Sequence, residues 1–154
     1  MHAIASRKFM KETLAALEIS PPVKARLLAD PPRRIYFQNP GEFAVASYYE
    51  PDARLRSRLA LVYSREREMR WNHRDTSYIT ELHLRRFTEL PIADFESIRA
   101  APGEQFFSVY EDLPGERAGY GWNWTEQAFA AARARVAQIG PGFGGKVVSV
   151  CFHP

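Results

Sequence analysis

In SRLALVYSREREMRWNHRDTSYITELHLRRFT, residues 57–88, the apolar side chains Leu59, Leu61, Tyr63, Met69 and Trp71 fall on odd positions, and Tyr78, Leu82 and Leu84 on even ones. A side-chain period of two on both arms is the mark of extended chain. The change of parity across Asn72 to Thr76 is what a turn requires if every one of these apolar residues is to reach the same face of a hairpin. The reading predicts two long antiparallel strands. Their other face is then polar and gathers Glu66, Glu68 and Arg70 from the first arm with Glu81, His83 and Arg85 from the second.

Toward the N-terminus, Pro51-Asp52 breaks the chain, and RIYFQ and EFAVASYYE flank Asn39-Pro40-Gly41, which predicts a second hairpin. Ahead of Pro31-Pro32, residues 3–18 carry Met10, Leu14 and Leu17 at helical spacing. Ser20-Pro21-Pro22 then starts a short helix through Val23, Leu27 and Leu28. Toward the C-terminus, IADFESIRA reads as a short helix and EQFFSVYEDL as a strand. Asn123-Trp124-Thr125-Glu126 reads as a capped helix start running to about Ile139, with Phe129, Ala132, Val136 and Ile139 as its stripe. KVVSVCF is apolar at nearly every position, as an inner strand is. The expected architecture is a single α+β domain over residues 1–154: a mainly antiparallel sheet of five to six strands with helices packed on one face.

Composition bounds the function. The chain has 154 residues, 45% hydrophobic and 25% charged, a balance that supports a packed core and excludes a disordered chain. No apolar run approaches the ~20 residues of a membrane-spanning helix. Arg7, Lys8, Lys11 and Glu12 interrupt the opening residues where a secretory leader would be continuously apolar. Cys151 is the only cysteine and lies inside KVVSVCF, so a small buried hydrophobe in a reducing cytoplasm is expected. A net charge of +3 permits nucleic acid as a partner without requiring it.

Several patterns suggest chemistry. On the polar hairpin face, His83 as general acid or base, Glu81 and Glu66 as orienting carboxylates and Arg85 as an anion stabiliser would suit phosphodiester cleavage in RNA or a nucleotide. The same pattern also describes a wet sheet face laced with ion pairs. Gly140 to Lys146, GPGFGGK, has the letters of a phosphate-binding loop, yet a helix is expected before it, a strand after it, and Val147 stands where Ser or Thr would hold magnesium. Turn chemistry accounts for Asn72 and Asp75 better than metal ligation does, since His73 and His83 lie far apart along a strand, so no metal or cofactor is expected.

GYGWNW places Tyr120, Trp122 and Trp124 on a loop, and Arg54, Arg56, Arg58, Arg67 and Arg70 cluster upstream. Arginine and large aromatics are the residue types of binding hot spots. The function expected is that of a small cytoplasmic binding or regulatory protein, bacterial or phage-type, which occupies a protein partner's surface through this Arg/aromatic patch. The alternatives are the RNA or nucleotide enzyme built on His83 and a sequence-independent nucleic-acid binder; none of the three involves a membrane.

Overall fold

Two helices begin at prolines, whose missing N–H costs nothing at a helix start. They are α1 (Pro21–Leu28) and α2 (Pro40–Tyr49). The computed structural model describes residues 18–29, 32–73, 75, 79, 82, 83, 85, 86, 89–109 and 124–153. Between the two helices lies β1 (Ile35–Phe37). After α2 come α3 (Ala53–Arg56), β2 (Leu59–Tyr63), α4 (Arg65–Arg67) and a π-helix, Glu68–Asn72. The remainder is β3 (Ile92–Asp94), α5 (Phe95–Ala100), β4 (Glu104–Val109), α6 (Trp124–Ala131), β5 (Arg135–Gly142) and β6 (Gly145–Cys151).

The strands form one six-stranded sheet in the order β3-β2-β1-β4-β6-β5. The class is α+β, but the sheet is mixed and mostly parallel rather than mainly antiparallel. β1 pairs in parallel with both β2 and β4, and β2 in parallel with β3. The antiparallel pairs are β4 with β6 and β6 with β5. Parallel neighbours need crossover helices, and these helices bury both faces of the strands they connect.

Helices accordingly cover both faces, where one face had been expected. On one side Val23 and Leu27 of α1, Phe43 and Ala46 of α2 and Leu55 of α3 pack on Ile35, Phe37, Leu59, Leu61, Phe106 and Val147. On the other, Phe95 and Ile98 of α5 and Trp124, Ala128 and Phe129 of α6 pack on Tyr36, Ala60, Val62, Phe107, Val148 and Val150. Alternate residues of each strand thus feed alternate cores.

The hairpin expected over residues 57–88 does not form. β2 stops at Tyr63, and the Ser64 side chain accepts the Arg67 N–H at 3.3 Å, capping a helical turn where the strand would have continued. Inside β2, Ala60 and Val62 are as buried as Leu59 and Leu61, so parity there carries no information about a wet face. His73 ends the π-helix in a left-handed conformation (φ 55), and His83 and Arg85 have helical backbone. The second expected hairpin also gives way, because EFAVASYYE is α2. The Asn39 side chain accepts the N–H groups of Gly41 and Glu42 at 2.8 and 3.2 Å, a cap strong enough to override the β-branched and aromatic content.

α6 stops at Ala131, short of the expected Ile139, because Arg133 adopts a positive φ (50) and Arg135 begins an edge strand. GPGFGGK joins β5 to β6: Gly142 pairs with Gly145 around Phe143 and Gly144, whose φ values of 57 and 87 are those of a type I′ turn. Phe143 tolerates this backbone because its ring is buried against Phe37 at 5.1 Å. The helix through Val23 to Leu28 and the strands within EQFFSVYEDL and KVVSVCF form as expected. The helix expected over residues 3–18 lies outside the described residues except for Glu18.

Candidate functional site

Beneath the ends of α1 and α2 lies a cavity of about 500 Å³. Its apolar floor is Ile19, Ala46 and Phe143, delivered by the entry to α1, the inner face of α2 and the β5–β6 turn, with Pro21 and Pro51 as stiff walls. Glu18, Lys24, Tyr49 and Glu50 supply its polar groups. Tyr49 is in edge-to-face contact with Tyr48 at 4.8 Å between centroids, and Tyr48 is 78% exposed, the most exposed large hydrophobic side chain among the described residues. Helix geometry causes this: with Phe43 and Ala46 turned inward at i and i+3, Tyr48 must point away from the sheet.

Charge at the mouth is organised by Asp52, which caps α3 through the Arg54 N–H at 3.0 Å. Its carboxylate also holds the Arg54 guanidinium at 2.8 Å and the Lys24 ammonium at 3.2 Å. The hydrogen bonds from Arg54, joined by Lys24, keep the Asp52 carboxyl far below the usual carboxylate range. Glu50 is only 8% exposed; its Oε1 accepts the Asp52 N–H at 2.9 Å and its carbonyl accepts Arg56 Nη1 at 3.0 Å. Arg54 extends outward with its side chain 72% exposed.

A second locus lies where the parallel strands end. The chain leaves β1 toward β2 on one side, and β4 returns on the other, so the carboxyl ends of β1 and β4 form a topological switch point, the usual ligand crevice of an open parallel sheet. Glu42 stands there in the first turn of α2, directly after β1. Burial pushes its carboxyl up from 4.5 to about 7 despite the favourable helix N-terminus. The half-buried side chain is thus poised to exchange a proton near neutrality.

The expected site residues scatter. Glu66 is exposed on α4, and His83 and Arg85 are exposed on helical backbone; Glu81 lies outside the described residues. Among the described residues no sheet face gathers these groups, because residues 65–72 are helical. Arg67 lies over the Phe95 ring at 4.6 Å and pairs with Glu96 at 2.7 Å, and Arg70 lies over Trp71 at 5.0 Å. Arg58 turns inward: its Nε donates to the Arg33 carbonyl and its Nη1 to the Leu27 carbonyl, tying the end of α1 to the start of β1. Trp124 is fully buried, 5.3 Å from Phe95 edge-to-face, so it is core. Tyr120 and Trp122 lie outside the described residues.

Arg54 and Arg56 are therefore the expected binding residues that fall beside the cavity, and their aromatic companions are Tyr48 and Tyr49. The signal for these was present: read as an N-cap, Asn39-Pro40 places the two tyrosines at the far end of a helix, next to Pro51. Among the described residues no group of three or more His, Cys, Asp or Glu is arranged to hold a metal, and no helix is long and apolar enough to cross a membrane. No family model, no curated protein and no solved structure matches this chain.

Proposed function

We propose that this chain is a small binding protein that acts by occupying a protein partner's surface through Tyr48, Tyr49 and Arg54 around the mouth of the α1–α2 cavity. The observation that carries the reading is the exposed Tyr48 packed edge-to-face on Tyr49, which lines a concavity of about 500 Å³. Exposed aromatic anchors beside a pocket, with arginine at the rim, have the composition and the shape of an interface hot spot. The single cysteine suits a reducing cytoplasm.

The test is capture from nuclease-treated lysate, followed by affinity measurement of the recovered partner with wild type and Tyr48→Ala. Truncation of a central aromatic anchor costs about 2 kcal/mol or more, roughly a thirtyfold loss of affinity. Tyr48 is exposed on the outer side of α2, so the melting temperature should stay put. An affinity within twofold of wild type sinks the assignment.

A second reading, acid–base catalysis on RNA or a nucleotide, is supported by Glu42 at the switch point with a carboxyl near 7. It predicts that Glu42→Gln abolishes any phosphodiesterase activity while His83→Ala does not. Activity retained in Glu42→Gln removes it. Sequence-independent binding to nucleic acid would instead show an affinity that falls steeply with salt.

A further inference from the structure

We propose that two copies of this chain pair through the outer edge of β5, so that the six-stranded sheet continues into its counterpart across a two-fold axis. The inference is independent of the binding reading above. β5 (Arg135–Gly142) is the longest strand among the described residues and stands at one end of the sheet, with β6 as its strand neighbour. Arg135, Val136, Ala137 and Gln138 are all exposed, and among the described residues none of their backbone groups bonds to backbone outside the β5–β6 ladder. Along such a run alternate residues turn their N–H and C=O groups outward, where an extended chain can take them up.

The two edges of the sheet differ. β3 ends the sheet on the other side with three residues, too short to template a partner strand. On β5 the far end is blunted: the register slips between Gln138 and Gly140, and Pro141 has no N–H to offer. Arg135–Gln138 runs in unbroken register and has no proline. Here Val136 is 46% exposed, the one exposed large hydrophobic residue on a strand among the described residues. Arg135 does not block the edge, because its Nη2 donates to Cys151 Sγ at 3.9 Å and the guanidinium lies back over β6.

Symmetry selects both the occupant and the register. A two-fold axis normal to the sheet sets two strands of one sequence antiparallel, and one residue of the edge must then face its own copy. With Arg135 on the axis like charges would be opposed, which destabilises a pair. With Gln138 there, the ladder would run into the bulge and Pro141. With Ala137 there, Val136 would face a polar Gln138. Val136 on the axis sets valine against valine, Arg135 against the small Ala137, and Gln138 against Ala134. In that register no like charges meet and the exposed valine is covered.

Sedimentation velocity of the full chain from micromolar to millimolar concentration should show the mass rising toward that of a dimer. Val136→Lys, which places two ammonium groups on the axis, should raise the dissociation constant about tenfold or more, with unchanged near-UV circular dichroism. In a Cys151→Ser background, a Val136→Cys thiol would face its own copy at the ~4.5–5.5 Å Cα spacing of directly opposed residues, within disulfide reach, whereas Ala137→Cys would be two residues out of line with its copy. Oxidised glutathione should therefore cross-link the first variant and spare the second.

A chain that stays monomeric throughout overturns the inference and leaves the edge to some other extended segment. A dimer undiminished by Val136→Lys, or cross-linked equally well through Ala137→Cys, overturns it too, since the contact then lies on another surface or in another register.

Discussion

Replacing Glu42 by glutamine should stabilise the protein at pH 8 and leave it unchanged at pH 4. Burial lifts the Glu42 carboxyl from 4.5 to about 7, so the folded chain holds that proton more tightly than the unfolded chain does. Stability from this group is fully present below pH 4.5 and is lost as the pH rises through about 7. At 1.36 kcal/mol per unit the full loss would be roughly 3 kcal/mol, and solvent reaching a half-buried side chain reduces it to about 1.5 kcal/mol. Glutamine mimics the protonated form at every pH, but it gives up the attraction between a carboxylate and the N-terminus of α2, about 0.5 kcal/mol. The net gain at pH 8 is then about 1 kcal/mol, or roughly 2–4 °C in melting temperature for a chain of this size. Urea unfolding of both proteins at pH 4, 6 and 8 measures it. A difference independent of pH, or a less stable glutamine variant at pH 8, would show that the helix dipole rather than burial governs Glu42.

Gly140→Ala should destabilise the fold by about 2 kcal/mol, since its φ of 153 is one that side chains rarely adopt and its new methyl would meet Val23 Cγ2 at 2.6 Å. A fall in urea midpoint at constant slope checks this, and a loss under 0.5 kcal/mol would mean α1 shifts freely on β5. Trp124→Ala should cost about 3–5 kcal/mol, the range for emptying a fully buried aromatic site. If calorimetry finds Trp124→Ala as stable as wild type, the packing of α6 on Phe95 is refuted.

Glu104–Val109 and Gly145–Cys151 are six or seven residues long and rich in Phe and Val, so their composition alone distinguishes them, and β1 within RIYFQ and β2 at the start of the long arm were also legible as extended chain. β3 has three residues, too few for any period to register, and it was absorbed into the helix reading of IADFESIRA, while β1 was read as a strand but given the wrong partner and direction. β2 is buried on both faces, so the odd-numbered Leu59, Leu61 and Tyr63 marked extended chain but no wet face, and Met69 and Trp71 beyond it continued the strand pattern by coincidence. Asn39-Pro40-Gly41-Glu42 carried a real helix-start signal, an N-cap followed by proline and an acidic third residue, which the turn reading of Asn-Pro-Gly obscured. Missing α2 turned a crossover into a hairpin and with it the direction of the sheet. The site was legible only in its arginines, because Tyr48 and Glu50 acquire their roles from the helix that places them.

The type I′ turn at Phe143–Gly144 bears on the order of assembly. β5 and β6 close through a loop of two residues, whereas the central β1 must wait for residues 59–61 on one side and 106–108 on the other. Local hairpins close in microseconds, and distant parallel pairings pay their loop entropy first. The C-terminal ribbon therefore forms early and supplies the edge onto which β4 docks, so the middle of the finished sheet is among the last parts to be completed. A chain whose residues 135–151 have not yet left the ribosome lacks the ribbon that β4 needs, so the sheet is completed only after they emerge.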